Sequence, residues 1–111
     1  MAVPVKQNLS ITRGDTETIV ITMQTDSTAI NITGRTYRAQ IRATKDAATI
    51  AATLTCTITN ASGGEVTCVL SAANSATLTP GTYYWDFEEN NAGVISTIIA
   101  GTVAVGADVT R

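Results

Sequence analysis

The sequence feature that most constrains the fold of this chain is a turn signal followed directly by an aromatic segment. Residues 78–83 read LTPGTY, in which Pro80 and Gly81 favour a chain reversal between Leu78 and Tyr83. This spacing is typical of a tyrosine corner, the feature of β-sandwiches in which a tyrosine hydroxyl bonds to upstream backbone. We therefore predict that Leu78 is buried and that the Tyr83 hydroxyl is buried and bonded to backbone near it.

Alternation with a period of two follows this corner. The odd-numbered residues are aromatic and are predicted to face the core: Tyr83, Trp85 and Phe87. The even-numbered residues are predicted to face outward: Tyr84, Asp86 and Glu88. Because three large rings point the same way, we expect a central strand, which a hairpin loop at residues 89–93 connects to the next one.

Similar alternation runs through the rest of the chain and indicates an all-β protein, since its abundant Thr, Val and Ile pack well on a pleated sheet. Besides the aromatic strand, strands are predicted at residues 7–12, 16–23, 37–43, 50–58, 66–70 and 94–105, and one helical turn at 71–76. Seven strands with short turns predict an immunoglobulin/fibronectin-III-like β-sandwich. We expect one such domain at residues 6–111, preceded by an extended arm at residues 1–5, which contains Pro4.

Charge is sparse in this sequence. Only 14% of the residues are charged and the net charge is −2, so the outer strand faces must be largely neutral. Such a surface suits burial in an assembly, although a soluble monomer coated with threonine fits the composition as well. The Lys and Arg residues form no sequence cluster, which argues against nucleic acid as a partner. No membrane association is expected, because no apolar run approaches the roughly 20 residues of a spanning helix and residues 1–5 lack the features of a signal peptide.

The residue inventory argues against an enzyme. The sequence has no histidine, so it lacks the usual general base near neutral pH and the usual partner of a nucleophilic Ser or Cys. We expect no catalytic residue, no metal and no cofactor. Asp86, Glu88 and Glu89 suggest at most a weak Ca²⁺ site, and a solvated face with Arg38 and Arg42 as cross-strand partners is the preferred interpretation.

The tripeptide Arg13-Gly14-Asp15 matches the sequence that integrins bind. Its position between two predicted strands offers a simpler explanation, because Gly supplies a positive φ and Asp accepts hydrogen bonds within turns. We interpret it as a turn.

The two cysteines lie symmetrically about Ser62 in a predicted hairpin. Ile58 with Val66 and Leu54 with Leu70 share this symmetry, so one register places Cys56 directly opposite Cys68. We expect the two to be neighbours. A reducing cytoplasm favours free, buried thiols, and a disulfide between them is the alternative.

The last predicted strand, at residues 94–105, is apolar on both faces and contains no charge. An edge strand of this kind invites aggregation unless something covers it. We therefore predict that this strand and the arm contact neighbouring subunits, through the residues Val3, Val5, Val94, Ile98 and Val103. The alternative is that the arm and residues 24–29 cover the edge within one chain.

Several short motifs are spread along the chain: ITRGDT at residues 11–16, ITG at 32–34, PGTY at 80–83 with WD at 85–86, GTV at 101–103 and DVTR at 108–111. They resemble motifs of small virion proteins of tailed phages. Together they are similar to the N-terminal, immunoglobulin-like domain of phage baseplate upper proteins. The resemblance implies a structural protein that attaches to other components of a virion and is assembled in the host cytoplasm.

The expected function is therefore that of a non-enzymatic attachment module. Its partners would be other virion proteins, with the protein present as a homo-oligomer or in many copies, on the tail or baseplate or as a capsid decoration (cement) protein. The alternative is a carbohydrate-binding or host-adhesion module of immunoglobulin type. If Tyr83 and Trp85 point inward, only Tyr37 or Tyr84 is left as an exposed ring for a sugar.

Overall fold

The computed structural model describes residues 5–25 and 27–109. Strands dominate, with one short helix: β1 (Val5–Lys6), β2 (Leu9–Thr12), β3 (Glu17–Thr22), β4 (Gln24–Thr25), β5 (Thr28–Ala29), β6 (Thr36–Arg42), β7 (Ala52–Asn60), β8 (Glu65–Leu70), α1 (Ala72–Ser75), β9 (Gly81–Asn91) and β10 (Val94–Gly106). The predicted all-β class is therefore confirmed. Within these residues, no helix is long and apolar enough to cross a membrane.

One continuous sheet contains every strand except the small β4–β5 hairpin. Its order is β1-β10-β9-β6-β7-β8-β3, and β2 also pairs with β10. β7 is shared between two neighbours, because its first residues pair with β6 and the rest, from Thr55 onward, pair with β8. Ile21 on one edge strand and Val103 near the opposite edge belong to the same buried cluster, so the sheet curves round a single core into a nearly closed barrel shape.

The predicted corner forms between α1 and β9. Leu78 is buried, and the Tyr83 hydroxyl donates to the carbonyl oxygen of Thr79 at 2.8 Å and accepts from the Thr79 amide at 2.9 Å. The bond to upstream backbone is thus confirmed. The prediction of a buried hydroxyl is wrong, because Tyr83 is half-buried and its bond to Thr79 lies at the surface, beside the exposed Pro80 and Gly81.

The two faces of β9 differ as the alternation predicts. Trp85 and Phe87 are buried, whereas Tyr84 and Asp86 are only partly covered on the outer face. The inward rings join a core to which β2, β3, β6, β7, β8 and β10 also contribute.

The outer edge of β10 is covered by the chain's own N-terminal strands. β1 pairs with Ile99 and Ala100, and β2 continues the same parallel pairing from Val103 to Gly106. Val5 therefore lies in the sheet and not in an arm outside it. Val103 is fully buried, so its predicted place in a subunit interface is wrong.

The connection between β1 and β2 is held closely against β10. The Gln7 amide donates to the Ala100 carbonyl at 3.0 Å, and the indole N–H of Trp85 donates to the Gln7 carbonyl at 2.9 Å. A side chain at position 101 would collide with that carbonyl, so Gly101 permits the approach of a second backbone. A β-bulge lies nearby at Ile98, where the register with β9 shifts.

The predicted cysteine register is also present. Cys56 lies opposite Cys68, and Ile58 opposite Val66. Leu54 pairs with Ala39 of β6 and not with Leu70, because β7 has changed neighbours at that point. The two thiols are free, with their sulfur atoms 3.1 Å apart. Cys68 is buried and Cys56 half-buried.

The Arg13-Gly14-Asp15 segment forms a turn against α1. The Gly14 amide donates to the hydroxyl of the fully buried Ser75 at 2.9 Å, and that hydroxyl donates to the Asp15 carbonyl at 2.7 Å. Gly14 has a φ of 88°, as the turn interpretation requires. Ser71 caps α1 by accepting from the Asn74 amide.

Candidate functional site

A groove with a volume of about 760 Å³ lies on the outer face of β6, β9 and β10. The outward residues of β6 and β9 line it, together with Trp85, a short stretch of β10, Lys6 from β1 and Lys45 from the loop after β6: Arg38, Gln40 and Arg42 on β6, Tyr84, Asp86 and Glu88 on β9, and Ala100 to Thr102 on β10. We call this the β9 groove.

Strand register places the polar side chains of the β9 groove in rows. Gln40 lies opposite Asp86, which lies opposite Ala100, which in turn lies opposite Lys6. The small residues of β10 sit between the longer side chains of β9 and β1. This difference in side-chain size makes the surface concave above β10.

Positive charge is concentrated in this groove although the protein is acidic overall. Four of the seven Lys and Arg residues line it, against two carboxylates. Arg38 donates to Glu88 at 2.8 Å, which confirms one predicted cross-strand pair. Arg42 pairs with no carboxylate of the described residues, because it faces Tyr84 and donates to the carbonyls of Ala47 and Ala48 and to Gln40.

Three groups in the β9 groove keep bonding capacity. The Lys6 ammonium group has no hydrogen bond or ion pair to the described part of the chain. Among the described residues, the Lys45 ammonium group makes only a cation–π contact, with its Nζ 5.6 Å from the centroid of the Tyr84 ring. The Asp86 carboxylate accepts no hydrogen bond from the described residues. Partial burial, with the neighbouring Glu88, raises its pKa against the opposing effect of Arg38 and Arg42. A donor from a bound molecule would satisfy this carboxylate.

The burial of one carboxylate, that of Glu89, was not predicted from the sequence. Glu89 is only 8% exposed and accepts from the Tyr37 hydroxyl at 2.7 Å and from Arg35 at 3.2 Å. The Tyr37 ring stacks on Phe87, with 5.2 Å between centroids. Burial, followed by the bond to Glu89, raises the pKa of Tyr37 above its usual value. The period-two pattern through Trp85 and Phe87 places Glu89 on the inner face. The predicted hairpin loop at residues 89–93 therefore began too early, since β9 continues to Asn91.

These contacts distinguish the two tyrosines that the sequence analysis considered as exposed rings. Tyr37 stacks on Phe87 and bonds to Glu89, whereas Tyr84 lines the β9 groove. Glu89 lies on the opposite face from Asp86 and Glu88, and the described residues contain no group of three potential metal ligands.

A second surface lies on the outer face of β3, β8 and β7. Nine uncharged residues in three neighbouring strands make up most of it, and we call them the threonine face: Thr18, Val20, Thr22, Thr53, Thr55, Thr57, Thr59, Thr67 and Val69. One charged residue, Glu65, lies on the same face opposite Thr22, and its carboxylate accepts from the Thr59 hydroxyl at 2.6 Å. Cross-strand pairing orders the face, for example in the row Thr57, Thr67 and Val20. Val20 is 58% exposed. β3 pairs only with β8 within the described chain, so its other edge is open.

The predicted interface residues do not form one surface. Val94 is 65% exposed at the start of β10, beyond the part that β1 covers. Ile98 is half-buried and packs against the core, and Val103 lies within it. Val5 pairs with Ile99, and Val3 lies outside the described residues. Residues 24–29, the other candidate cover for the edge, include the separate β4–β5 hairpin.

Comparisons with known proteins add little to this geometry. No family model and no curated protein matches the chain. Among solved structures, InlP from Listeria monocytogenes is similar, with 16% sequence identity and a TM-score of 0.49 over 90% of this chain. The chain spans about a quarter (26%) of that protein's length. We draw no functional argument from a likeness at this level.

Proposed function

We propose that this protein is a non-enzymatic attachment module of a tailed-phage virion, similar to the N-terminal domain of baseplate upper proteins. It binds other virion proteins, is present in several or many copies, and is assembled in the host cytoplasm. Its place is on the tail or baseplate, or on the capsid as a decoration (cement) protein. The motifs quoted above carry the phage assignment.

The proposal includes an immunoglobulin/fibronectin-III-like sandwich as the finer description of the fold. Two features support it. The tyrosine corner at Tyr83 is typical of such domains. In addition, the change of partner along β7 divides the sheet into a β10-β9-β6 part and a β8-β3 part that share one core.

The observation that best supports attachment is the threonine face. Burying charged side chains at an interface costs desolvation energy, whereas threonine offers methyl groups for packing and a hydroxyl that can bond across the contact. Apart from Glu65 at the start of β8, the face carries no charge, and it adjoins the open edge of β3, so a partner can pack on the sheet and also pair with its edge.

The test is to place lysine on this face. Val20→Lys and Thr57→Lys change exposed positions, so both variants should fold, and both should be lost from assembled particles. Each variant is produced during phage assembly, and its copies per particle are counted by mass spectrometry. Thr49→Lys and Val94→Lys are the matched controls, because both are exposed residues outside the face.

The two pairs of variants give distinct outcomes. Normal incorporation of both threonine-face variants would mean that this face binds no virion partner. Loss of Val94→Lys alone would move the interface to the start of β10. Absence of the parent protein from purified particles would overturn the virion role itself.

A further inference from the structure

The β9 groove combines three kinds of group that can bind a ligand. Tyr84 offers a partly exposed ring, Asp86 an acceptor without a donor from the described chain, and Lys6 and Lys45 two cations without an anionic partner there. The groove volume of about 760 Å³ falls within the range of roughly 300–1,000 Å³ typical of small-molecule sites.

Each group limits the chemistry of the occupant. A carboxylate such as Asp86 needs hydroxyl or N–H donors, and the ring of Tyr84 suits an apolar face such as the C–H face of a sugar. The lysines call for negative charge. The occupant must therefore present hydroxyls, an apolar ring face and an acidic group together.

We propose that the β9 groove binds an acidic saccharide, a sugar chain that contains uronic acid or a similar carboxylated unit. Hydroxyls of the sugar donate to Asp86, one ring lies against Tyr84, and the carboxylates meet Lys45 and Lys6. This ligand site goes beyond the attachment role and does not depend on it, since the threonine face lies on different strands.

The position of Asp86 argues against two other occupants. A plain polyanion, such as an acidic peptide, would bring further negative charge to an unpaired carboxylate in the middle row of the groove. A neutral saccharide would leave Lys6 and Lys45 unpaired. Only a ligand with both donors and anions satisfies the groups observed.

The first experiment is a titration of the isotopically labelled protein followed by NMR. Hexagalacturonate is the acidic saccharide, maltohexaose the neutral one and hexaglutamate the polyanion without hydroxyls. Hexagalacturonate should shift the backbone amides of Ala100, Gly101 and Thr102 and leave Thr57 on the threonine face unmoved. Equal binding of maltohexaose or hexaglutamate overturns the proposal, as does the absence of groove shifts with millimolar hexagalacturonate.

Substitution of Asp86 should change the binding affinity in opposite directions for a saccharide and for a plain polyanion. Asp86→Asn replaces a charged acceptor with a weaker neutral one and puts an N–H₂ donor in place of the second oxygen, so it should weaken hexagalacturonate binding by about tenfold, the effect of losing one good hydrogen bond to a charged group. Removal of a negative charge would instead tighten the binding of a polyanion. Tighter binding of hexagalacturonate to Asp86→Asn would therefore exclude the saccharide site.

Two further variants test the ring and the cations. Tyr84→Ala should lose binding, whereas Tyr84→Phe should keep it, because the ring and not the hydroxyl makes the contact. Lys45→Gln should weaken binding more than Arg13→Gln, which removes the same charge outside the groove. Retention of binding by Tyr84→Ala, or equal effects of the two charge variants, would contradict the assigned contacts.

Discussion

At the scale of single residues, hydrogen bonds and burial distinguish side chains of the same type. Tyr37 is stacked in the core and bonded to Glu89, Tyr83 fastens a turn, and Tyr84 lines the β9 groove. The three tyrosines therefore differ in what a loss of their hydroxyl would do.

Tyr83→Phe should lower the free energy of unfolding by about 1 kcal/mol, since the hydroxyl both donates to and accepts from the Thr79 backbone near the surface. Denaturant unfolding measures the change. Tyr84→Phe is the matched control and should have little effect, because no hydrogen bond holds its hydroxyl to the described chain. Equal stability of Tyr83→Phe and the parent protein would refute a stabilising role for the corner.

Asp86→Asn should stabilise the isolated protein at neutral pH. Burial raises the pKa of Asp86 above its ordinary value of 3.8, so the folded state binds the proton more tightly than the unfolded chain. Stability therefore falls as the pH rises from about 3.8 through the folded-state pKa, and the cost is fully present above that pKa. Glu88 adds to this cost, and Arg38 and Arg42 oppose it.

Thermal melts of Asp86→Asn and the parent protein from pH 3 to pH 7 measure this difference. The melting temperatures should converge at acid pH and separate as the pH rises. A lower melting temperature of the variant at pH 7 would show that Asp86 has a stabilising partner.

At the scale of strands, the close approach of the β1–β2 connection to β10 depends on one glycine. Gly101→Ala puts a methyl group against the Gln7 backbone, which cannot move without disturbing its bonds to Ala100 and Trp85. We expect a loss of about 1–3 kcal/mol in unfolding free energy.

Gly106→Ala is a control on the same strand, because a Cβ there would meet its nearest atom at an ordinary 3.8 Å. Denaturant unfolding of both variants, with hydrogen exchange of the Gln7 amide, measures the effect. Similar stabilities of the two variants would mean that the β1–β2 connection can move away from the added methyl group at little cost in free energy.

The β7–β8 hairpin holds its two thiols close enough to react. Oxidation by glutathione disulfide should join Cys56 to Cys68, releasing two molecules of reduced glutathione and lowering the protein mass by two hydrogens. Closing this hairpin should add up to about 3 kcal/mol of stability. Mass spectrometry and thermal melts follow the reaction, with Cys56→Ser as control. Failure to oxidise would show that the strands do not allow disulfide geometry.

At the scale of the whole molecule, the sequence predicts the features that depend on residues close together in the chain. The strands, the corner, the helical turn at 71–76 and the cysteine register follow from alternation and turn chemistry over a few residues. The cover of β10 by β1 and β2 and the change of partner along β7 do not, because they pair segments far apart in sequence. For the same reason Val103 was assigned to a surface and Glu89 to a loop, although period two placed Glu89 inward.

The β9 groove, too, could be predicted from the sequence only in part. The outward set Tyr84, Asp86 and Glu88 follows from alternation, and the pairing of Arg38 with Glu88 follows from strand order. The small floor at Ala100 and the position of Lys6 could not be predicted, because both depend on β1 lying beside β10.

The parallel pairing of β1 and β2 with β10 also bears on mechanical load. In a parallel pair, the start of one strand and the end of the other lie at opposite ends of the shared ladder, so tension applied through residues 5 and 106 would shear the backbone hydrogen bonds together. An antiparallel terminal pair would instead open one bond at a time, like a zipper. A module that transmits force along its own chain would therefore resist rupture at the strands that close its sheet.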